Sequence, residues 1–275
     1  MAETAAVFRR AALLPRTITA AVGGVVLLVA AWAGGMWWVG VAVLLAGLAS
    51  AEYVRLQPKM GHPARAAVVL AVSGAVVLCA FIGNATALLL VFGAIVAALG
   101  VVPWLAVRMD PHQSVPGPAA AAVLGVSYLG LPHGVLARWR LERPFADLAW
   151  MFVIVWAGDI AAYFVGLAFG RHKLAPKVSP GKSWEGAAAG LVASAAAGAG
   201  AAAAFGISVA GGLLLGSMIS LAAQIGDLFE SAIKRRAGVK DSGGLLPGHG
   251  GVLDRFDAVF FAAPVAYAAL TVLRR

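Results

Sequence analysis

The sequence contains few charged residues. Only 12% of its 275 residues are Asp, Glu, Lys or Arg, whereas 61% are hydrophobic. Soluble domains carry about 25% charged residues, so this composition excludes an ordinary water-soluble domain. Cys79 is the only cysteine, which excludes a disulfide within one chain. Its side chain is predicted to pack as a small hydrophobic group. Heptads, a repeat of fixed length and a long disordered tail are absent as well, so neither a coiled coil nor a repeat array is expected.

Long apolar runs dominate what is present. Runs of about 18 or more residues occur along the whole chain, and each is long enough to cross the ~30 Å hydrocarbon layer. The sequence therefore predicts an all-α fold, a polytopic integral membrane protein with about nine transmembrane helices. A signal peptide is not expected, because apolar spans continue after the first one. The predicted spans are 17–34, 36–54, 66–83, 86–106, 118–136, 147–168, 186–205, 208–229 and 255–273.

The net charge of +9 has two interpretations. In a soluble protein it would indicate nucleic-acid binding. In a membrane protein, loop cations set the orientation and contact anionic lipid, and we favour this second interpretation. Lys and Arg are in excess in the loops after even-numbered spans, so the positive-inside rule predicts that the chain begins in the cytoplasm. Membrane lipids are expected partners and nucleic acid is not.

The acidic residues are unevenly distributed. More than half of the twelve lie at or after Asp159, whereas the first half is mostly Ala, Val, Leu and Gly. We therefore predict two regions. Residues 1–146 form N-terminal membrane helices that act as a scaffold, and residues 147–275 form a C-terminal catalytic membrane region with two cytoplasmic cationic loops.

The eighth predicted span is followed directly by cations. Asp227, Ser231 and Lys234 are spaced i, i+4 and i+7, so they share one helix face. An aspartate inside a membrane costs about 2.5–3.5 kcal/mol and usually faces a partner or a wet cavity. This face is predicted to hold a cation through Asp227 and to present the Lys234 ammonium to phosphate. The alternative is a helix end among the headgroups, which Lys234, Arg235 and Arg236 only anchor.

A glycine-rich loop with charged residues comes next. Gly250 and Gly251 allow the backbone to approach an anion closely. The interleaved Lys240, Asp241 and His249 are not typical of a flexible linker. The loop is therefore predicted to contact phosphate, although His249 is equally suited to bracing the turn through hydrogen bonds.

Further acids begin the ninth span and lie within the sixth. Asp254 and Asp257 are spaced i, i+3, and Asp159 lies in the sixth span. Carboxylates from neighbouring helices, with positions left for water and phosphate, are typical of Mg²⁺ sites. Asp159, Asp227, Asp254 and Asp257 are thus predicted metal ligands, for one cation or two. For Asp257, a simple interaction with the helix dipole is an equal alternative.

The loop between the sixth and seventh spans is a second cationic segment on the same side. Lys173 and Lys182 are predicted to bind phosphate, while Ser183 and Glu185 are placed to cap the following helix. Cations beside acids that hold Mg²⁺ suit a polyphosphate substrate, because the metal neutralises charge that develops during transfer.

The segment SAIKRRAGVKDSGGLLPGHGGVLDRFD, residues 231–257, closely resembles the signature of phosphatidate cytidylyltransferases, also called CDP-diacylglycerol synthases. The similarity extends over residues 150–260, with GDLFES and SPGKSWEG as further family segments, whereas the first 145 residues are similar only as generic membrane helices. The resemblance implies a Mg²⁺-dependent enzyme that joins CTP and phosphatidic acid into CDP-diacylglycerol and pyrophosphate in phospholipid biosynthesis.

The resemblance also implies roles for individual residues. Asp227, Asp254, Lys234 and Lys240 would be catalytic, the first two as metal ligands. The implied substrate-binding residues are Ser231, Arg235, Arg236, Asp241, His249, Gly250, Gly251, Arg255, Lys173, Lys182 and Ser183. The resemblance further implies a homodimer, to which the N-terminal helices contribute, in the inner (plasma) membrane with the active site facing the cytoplasm.

Two other functions stay open. One is a CTP-dependent cytidylyltransferase that acts on another lipid phosphate. The other is an anion transporter, since membrane-embedded acids and Gly-rich helices also occur in transporters. The gathering of charge at one face, without matching broken helices in two halves, favours the enzyme.

Overall fold

The computed structural model describes residues 23–57, 62–81, 123–245 and 250–274, and these are mostly helical. The helices are α1 Gly23–Ala33, α2 Gly35–Arg55, α3 His62–Phe81, α4 Leu131–Glu142, α5 Phe145–Phe169, α6 Trp184–Ala201, α7 Val209–Arg236 and α8 Leu253–Leu273. A π-helical turn, Val126–Gly130, precedes α4, and a 3₁₀ turn, Ala202–Phe205, follows α6.

The all-α membrane fold is confirmed. Within the described ranges, 6 helices are long and apolar enough to cross a membrane, namely α2, α3, α5, α6 with its 3₁₀ turn, α7 and α8. The predicted span 86–106 lies outside the described residues, so the count of nine stays a prediction. The predicted span 118–136 continues as helix α4 to Glu142.

Among the described connections between helices, two correspond to the predicted cationic loops. Residues 171–183, between α5 and α6, include an antiparallel pair of strands, β1 Lys173–Ala175 and β2 Ser179–Ser183, and are called the hairpin below. Residues 237–252, between α7 and α8, contain no helix where they are described and are called the terminal loop. The strands are too short for an alternating sequence pattern to indicate them.

Helices α6 and α7 approach each other closely through small residues. A Cβ added to Gly198 would lie 3.0 Å from the backbone nitrogen of Gly216, and Gly216 itself lies against the backbone of Ser194. Small residues let membrane helices form extensive van der Waals contact. The close contact fixes α7 relative to α6 and therefore relative to the hairpin that precedes α6.

Helix α8 contributes to two hydrophobic cores. In one core, Val259 packs with Trp139 of α4 and Met151 of α5. In the other, Phe260 packs with Tyr53 of α2. The N-terminal and C-terminal helices therefore pack into shared cores that both include α8.

The predicted division between residues 1–146 and 147–275 falls within the first turn of α5, next to the break between α4 and α5. Helices from both sides of this position contribute to both cores. The functional division stays a prediction, and the structure adds that the two regions share their cores.

The contacts define two ends of the helix bundle. At one end, Arg274 after α8 binds Asp147 in the first turn of α5 and the carbonyl oxygen of Phe205. At the other, the last turns of α2 and α7, the hairpin, the terminal loop and the start of α8 come together. We call this second end the site end.

Candidate active site

Asp254, in the first turn of α8, binds both flanks of the terminal loop. Its Oδ2 accepts hydrogen bonds from the backbone amides of Ser242, at 3.0 Å, and Gly251, at 2.8 Å. A carboxylate at this position also interacts favourably with the dipole of the helix that it begins. Asp254 therefore closes the base of the terminal loop.

Lys234 lies in the last turn of α7 between two carboxylates. Its Nζ is 2.5 Å from Oε2 of Glu230 and 2.7 Å from Oδ1 of Asp254. The Glu230 side chain is only 1% exposed. Because an ion removed from water needs opposite charge nearby, the two acids hold this ammonium group in place.

Asp227 connects α7 to the hairpin. Nζ of Lys182, from β2, lies 2.5 Å from Oδ2 of Asp227, and Oγ of Ser231 lies 3.5 Å from Oδ1. Asp227, Ser231 and Lys234 all belong to α7, so they share one helix face as their spacing predicts. The Lys182 and Asp227 side chains are 25% and 40% exposed, so a charged ligand can reach this pair.

Two further acids lie near Asp227. Asp159 of α5 and Asp257 of α8 are each close enough to Asp227 for their negative charges to repel it. Lys182 is near enough to both to offset part of this repulsion. The backbone amide of Ala258 donates a hydrogen bond to Oδ1 of Asp257 at 2.8 Å. Acids from three helices thus lie near one another at the site end.

A divalent cation fits this group of acids chemically, because it prefers oxygen ligands and would remove the repulsion. The part of the chain that the structure describes contains no group of three or more His, Cys, Asp or Glu side chains arranged around a metal position. Asp227 is paired with Lys182, and Asp254 with Lys234, so both would exchange partners to bind a metal. The metal assignments stay predictions for Asp159, Asp227, Asp254 and Asp257.

The hairpin is fixed to the start of α6. Ser183 is buried, and its Oγ accepts a hydrogen bond from the amide of Gly186 at 3.2 Å, which makes it the predicted N-cap of α6. Glu185 accepts a hydrogen bond from the amide of His172 at 3.2 Å and lies 2.6 Å from its Nδ1. The Ser183 hydroxyl is therefore engaged within the protein, and its contact with substrate stays a prediction.

Arg235 links the hairpin to the terminal loop. Its Nε donates to the carbonyl oxygen of Val178 at 3.2 Å, and another guanidinium nitrogen donates to that of Val239 at 3.0 Å. Val178 lies in the turn of the hairpin and Val239 in the terminal loop. The two predicted cationic loops are thus in direct contact through one side chain.

The other predicted substrate contacts differ in their exposure. Gly250 adopts φ 81°, which L side chains rarely do, and a Cβ there would lie 2.8 Å from Oδ2 of Asp254. Gly251 is buried. His249 lies outside the described residues. The exposed predicted contacts are Lys173, Arg236, Lys240, Asp241 and Arg255.

The sequence prediction missed Glu52, near the end of α2. Its buried carboxylate accepts hydrogen bonds from the amides of Val252, at 3.0 Å, and Leu253, at 2.9 Å, and from the hydroxyl of Ser242, at 3.2 Å. A signal was present, since Glu52 is a lone acid in an apolar span and such acids usually have a partner or a function. The sequence prediction also missed Glu230, which lies one turn after Asp227 in the same helix.

Paired acids and cations at one end of a membrane helix bundle suit chemistry on an anionic substrate. The sequence model of the cytidylyltransferase family matches residues 14–273. The chain belongs to the cytidylyltransferase family. The matched region contains both Glu52 and the acids of α7 and α8, so the N-terminal helices are part of the family's common unit.

Individual members of the family match about half of the chain. This chain is 44% identical over 146 residues to a phosphatidate cytidylyltransferase of Brucella suis. The match covers 52% of this chain and 54% of that protein. The enzyme of the same name from Haemophilus influenzae is 46% identical over 144 residues, 48% of this chain and 50% of the relative. That of Pseudomonas aeruginosa is 48% identical over 139 residues, 50% of each. The chain thus spans about half the length of the curated relatives that it matches.

Proposed function

We propose that this cytidylyltransferase acts on phosphatidic acid. It transfers the CMP group of CTP to the lipid phosphate and releases pyrophosphate, which gives CDP-diacylglycerol for phospholipid biosynthesis. The names of its relatives support this substrate. The structural observation that carries the proposal is a pair of ammonium groups from two segments, Lys182 and Lys234, each held by an acid at the same end of the bundle.

The reaction brings two anions together. An oxygen of the lipid phosphate attacks the α-phosphorus of CTP, and pyrophosphate leaves in line. The lipid phosphate is already an anion near neutral pH, so no strong general base is required. Repulsion between the substrates is the main barrier to their encounter. Lys182 and Lys234 lower that barrier when phosphate oxygens replace their carboxylate partners.

Other cations enlarge the anion-binding surface. Lys173 on the hairpin and Lys240 on the terminal loop are exposed, and Arg235 holds these two segments together. We expect these side chains to bind phosphates of the nucleotide and the lipid. Their number suits a triphosphate and a phosphomonoester better than a single small anion.

Mg²⁺ is the proposed cofactor. Asp227 and Asp254 would hold it, with Asp257 and Asp159 close by. When bound, the cation would neutralise negative charge on the transferring phosphoryl group. The repulsion between Asp227 and each of Asp159 and Asp257, together with the hard oxygen atoms of all four acids, supports the assignment.

The protein is a multi-pass membrane protein, and we propose that it lies in the inner membrane with the site end in the cytoplasm. The excess of Lys and Arg in the loops assigned to that side supports this orientation. There CTP can reach the site from water while phosphatidic acid reaches it from the bilayer. A homodimer is proposed from the family resemblance.

The test supplies radiolabelled CTP and phosphatidic acid to the purified protein in detergent, with and without Mg²⁺. We expect labelled CDP-diacylglycerol and free pyrophosphate only when Mg²⁺ is present. Asp227→Asn should lower turnover at least about 100-fold, because it removes a charge at the reacting groups. Asp147→Asn, which removes a buried acid at the opposite end, is the control and should retain turnover.

Three other results would each contradict a part of the proposed function. Label that enters a polyprenyl or ether-lipid phosphate but not phosphatidic acid would assign a different lipid substrate. The absence of pyrophosphate release with every lipid phosphate would contradict cytidylyl transfer and favour anion transport. Near-normal turnover of Asp227→Asn at ordinary Mg²⁺ concentration would reject the metal role of that residue.

A further inference from the structure

Glu52 joins the N-terminal helices to the terminal loop. Its carboxylate, which is 3% exposed, accepts hydrogen bonds from the amides of Val252 and Leu253 and from the hydroxyl of Ser242. These partners lie 190 to 201 residues further along the chain. Glu52 from α2 and Asp254 from α8 therefore bind the same two flanks of the loop from two different helices.

We propose that Glu52 is a positioning residue for the reaction. It holds the terminal loop and the first turn of α8 so that Lys240 and the Asp254–Lys234 pair meet the substrate phosphates. This inference rests on the proposed function. The role is indirect, because a carboxylate buried to this degree and occupied by three donors does not itself contact a soluble nucleotide.

The surroundings of Glu52 require a carboxylate. The three groups that face it are all donors, two N–H and one O–H, and the two oxygens of a carboxylate accept from all of them. The amide of glutamine would turn an NH₂ group toward at least one of these donors. Two glycines complete the fit, since a Cβ at Gly243 would lie 2.9 Å from Oε1 of Glu52 and one at Gly251 would lie closer still to Oε2.

Ser242 connects Glu52 to the charged pair. Its hydroxyl binds Glu52, while its amide donates to both oxygens of Asp254, at 3.2 and 3.0 Å. Asp254 in turn lies 2.7 Å from Lys234. Loss of the Glu52 contact would release this flank and move a partner of Lys234. A displacement of about 1 Å at reacting groups can lower a rate about 100-fold.

The test compares Glu52→Gln with Asp147→Asn. Asp147 is a matched control, because it is also buried and also accepts from several donors, Arg143 and Arg274, but at the opposite end of the bundle. For Glu52→Gln we expect the KM for CTP to rise about tenfold and kcat/KM to fall about 100-fold. Asp147→Asn should keep both constants within about twofold, since distant sites act independently.

Amide hydrogen exchange supplies a readout that does not depend on catalysis. In Glu52→Gln, the amides of Val252 and Leu253 should exchange about tenfold faster or more, because each loses a hydrogen bond to a charged acceptor. Exchange there should be unchanged in Asp147→Asn. Ser242→Ala, which removes only the hydroxyl donor, is a milder second variant and should raise the KM for CTP about threefold. It carries the test if Glu52→Gln does not fold.

The outcomes separate the inference from the proposed function. An unchanged KM, or faster exchange with unchanged kinetics, would overturn the positioning role and leave the proposed function intact. Glu52→Gln and Asp147→Asn could instead lose activity equally, each in proportion to its loss of thermal stability. That result would show that Glu52 is a structural contact only. Failure of the wild-type protein to label phosphatidic acid would contradict the proposed function, and the inference with it.

Discussion

Lys234 carries the positive charge that balances the carboxylates of Glu230 and Asp254. Its ammonium lies within 2.7 Å of both Glu230 and Asp254. Without it, the two carboxylates would face each other beside the terminal loop. A buried ion pair adds little net stability relative to apolar residues, but removal of one partner leaves an uncompensated charge. The stability of the protein and its proposed substrate binding therefore depend on the same side chain.

We predict that Lys234→Ala lowers the free energy of unfolding by about 3 kcal/mol and abolishes turnover. Lys240→Ala is the control, because Lys240 is an exposed cation of the terminal loop. That change should leave the free energy of unfolding within about 0.5 kcal/mol of the wild type while it raises the KM for an anionic substrate. Denaturant unfolding in detergent, followed by tryptophan fluorescence, measures the difference. A Lys234→Ala protein as stable as the wild type would contradict the ion pairs of Lys234 with Glu230 and Asp254.

At the residue scale, local patterns were predictable and distant contacts were not. The spacing of Asp227, Ser231 and Lys234 placed them on one helix face, because helix periodicity depends only on neighbours in sequence. The position of Ser183 before a helix likewise predicts an N-cap, which the structure contains. The partners of Glu52 could not be predicted, because they lie about 200 residues away and no local pattern encodes which helix end meets which loop.

At the scale of elements, close helix packing sets the geometry of the site end. Gly198 of α6 lies against the backbone of Gly212 and Gly216 in α7. The hairpin that carries Lys182 leads directly into α6, whereas Asp227 lies on α7. The distance between these two helices therefore determines whether that ion pair can form.

Gly198→Ala should destabilise the protein by about 1–3 kcal/mol, because the new methyl group would overlap backbone atoms that cannot rotate away. Gly200→Ala is a matched control in the same helix, since nothing lies within 4 Å of its added Cβ. It should be neutral or stabilising by about 0.4–1 kcal/mol. Thermal unfolding midpoints of the two variants in one detergent measure the contrast, and equal midpoints would show that α6 and α7 are not this close.

Hydropathy alone predicts the long apolar helices but not where every helix ends. Long apolar helices such as α5 and α7 were predicted from composition alone, since a membrane span must satisfy its own backbone hydrogen bonds. Helix α4 extends beyond its apolar run into Arg138 and Glu142, which form an ion pair within the helix. Its end could not be read from hydropathy because that pairing offsets the cost of the charges.

At the scale of the whole molecule, the bundle has chemically different ends. The hairpin and terminal loop lie at one end, and the pair Arg274–Asp147 lies at the other. The orientation proposed from loop cations places the first end in the cytoplasm. Cysteine labelling can test this with little background, because the native Cys79 is buried.

We predict that Lys177→Cys, on the hairpin, reacts with a membrane-impermeant maleimide only after the cells are opened. Ala204→Cys, at the opposite end of the bundle, should react in intact spheroplasts. Both positions are exposed, so a difference in labelling reports the side of the membrane. The reverse pattern would contradict the proposed orientation and place the site end outside the cytoplasm.

The sharing of both cores by α8 has a consequence for biosynthesis. Chains are synthesised from the N-terminus, so α8 leaves the ribosome after α1 to α7 have been made. Until then, Asp254 and Asp257 are not present beside the acids of α7. One core lacks Val259 and the other lacks Phe260. A chain that stops short of α8 therefore lacks two of the proposed metal ligands and leaves both cores incomplete.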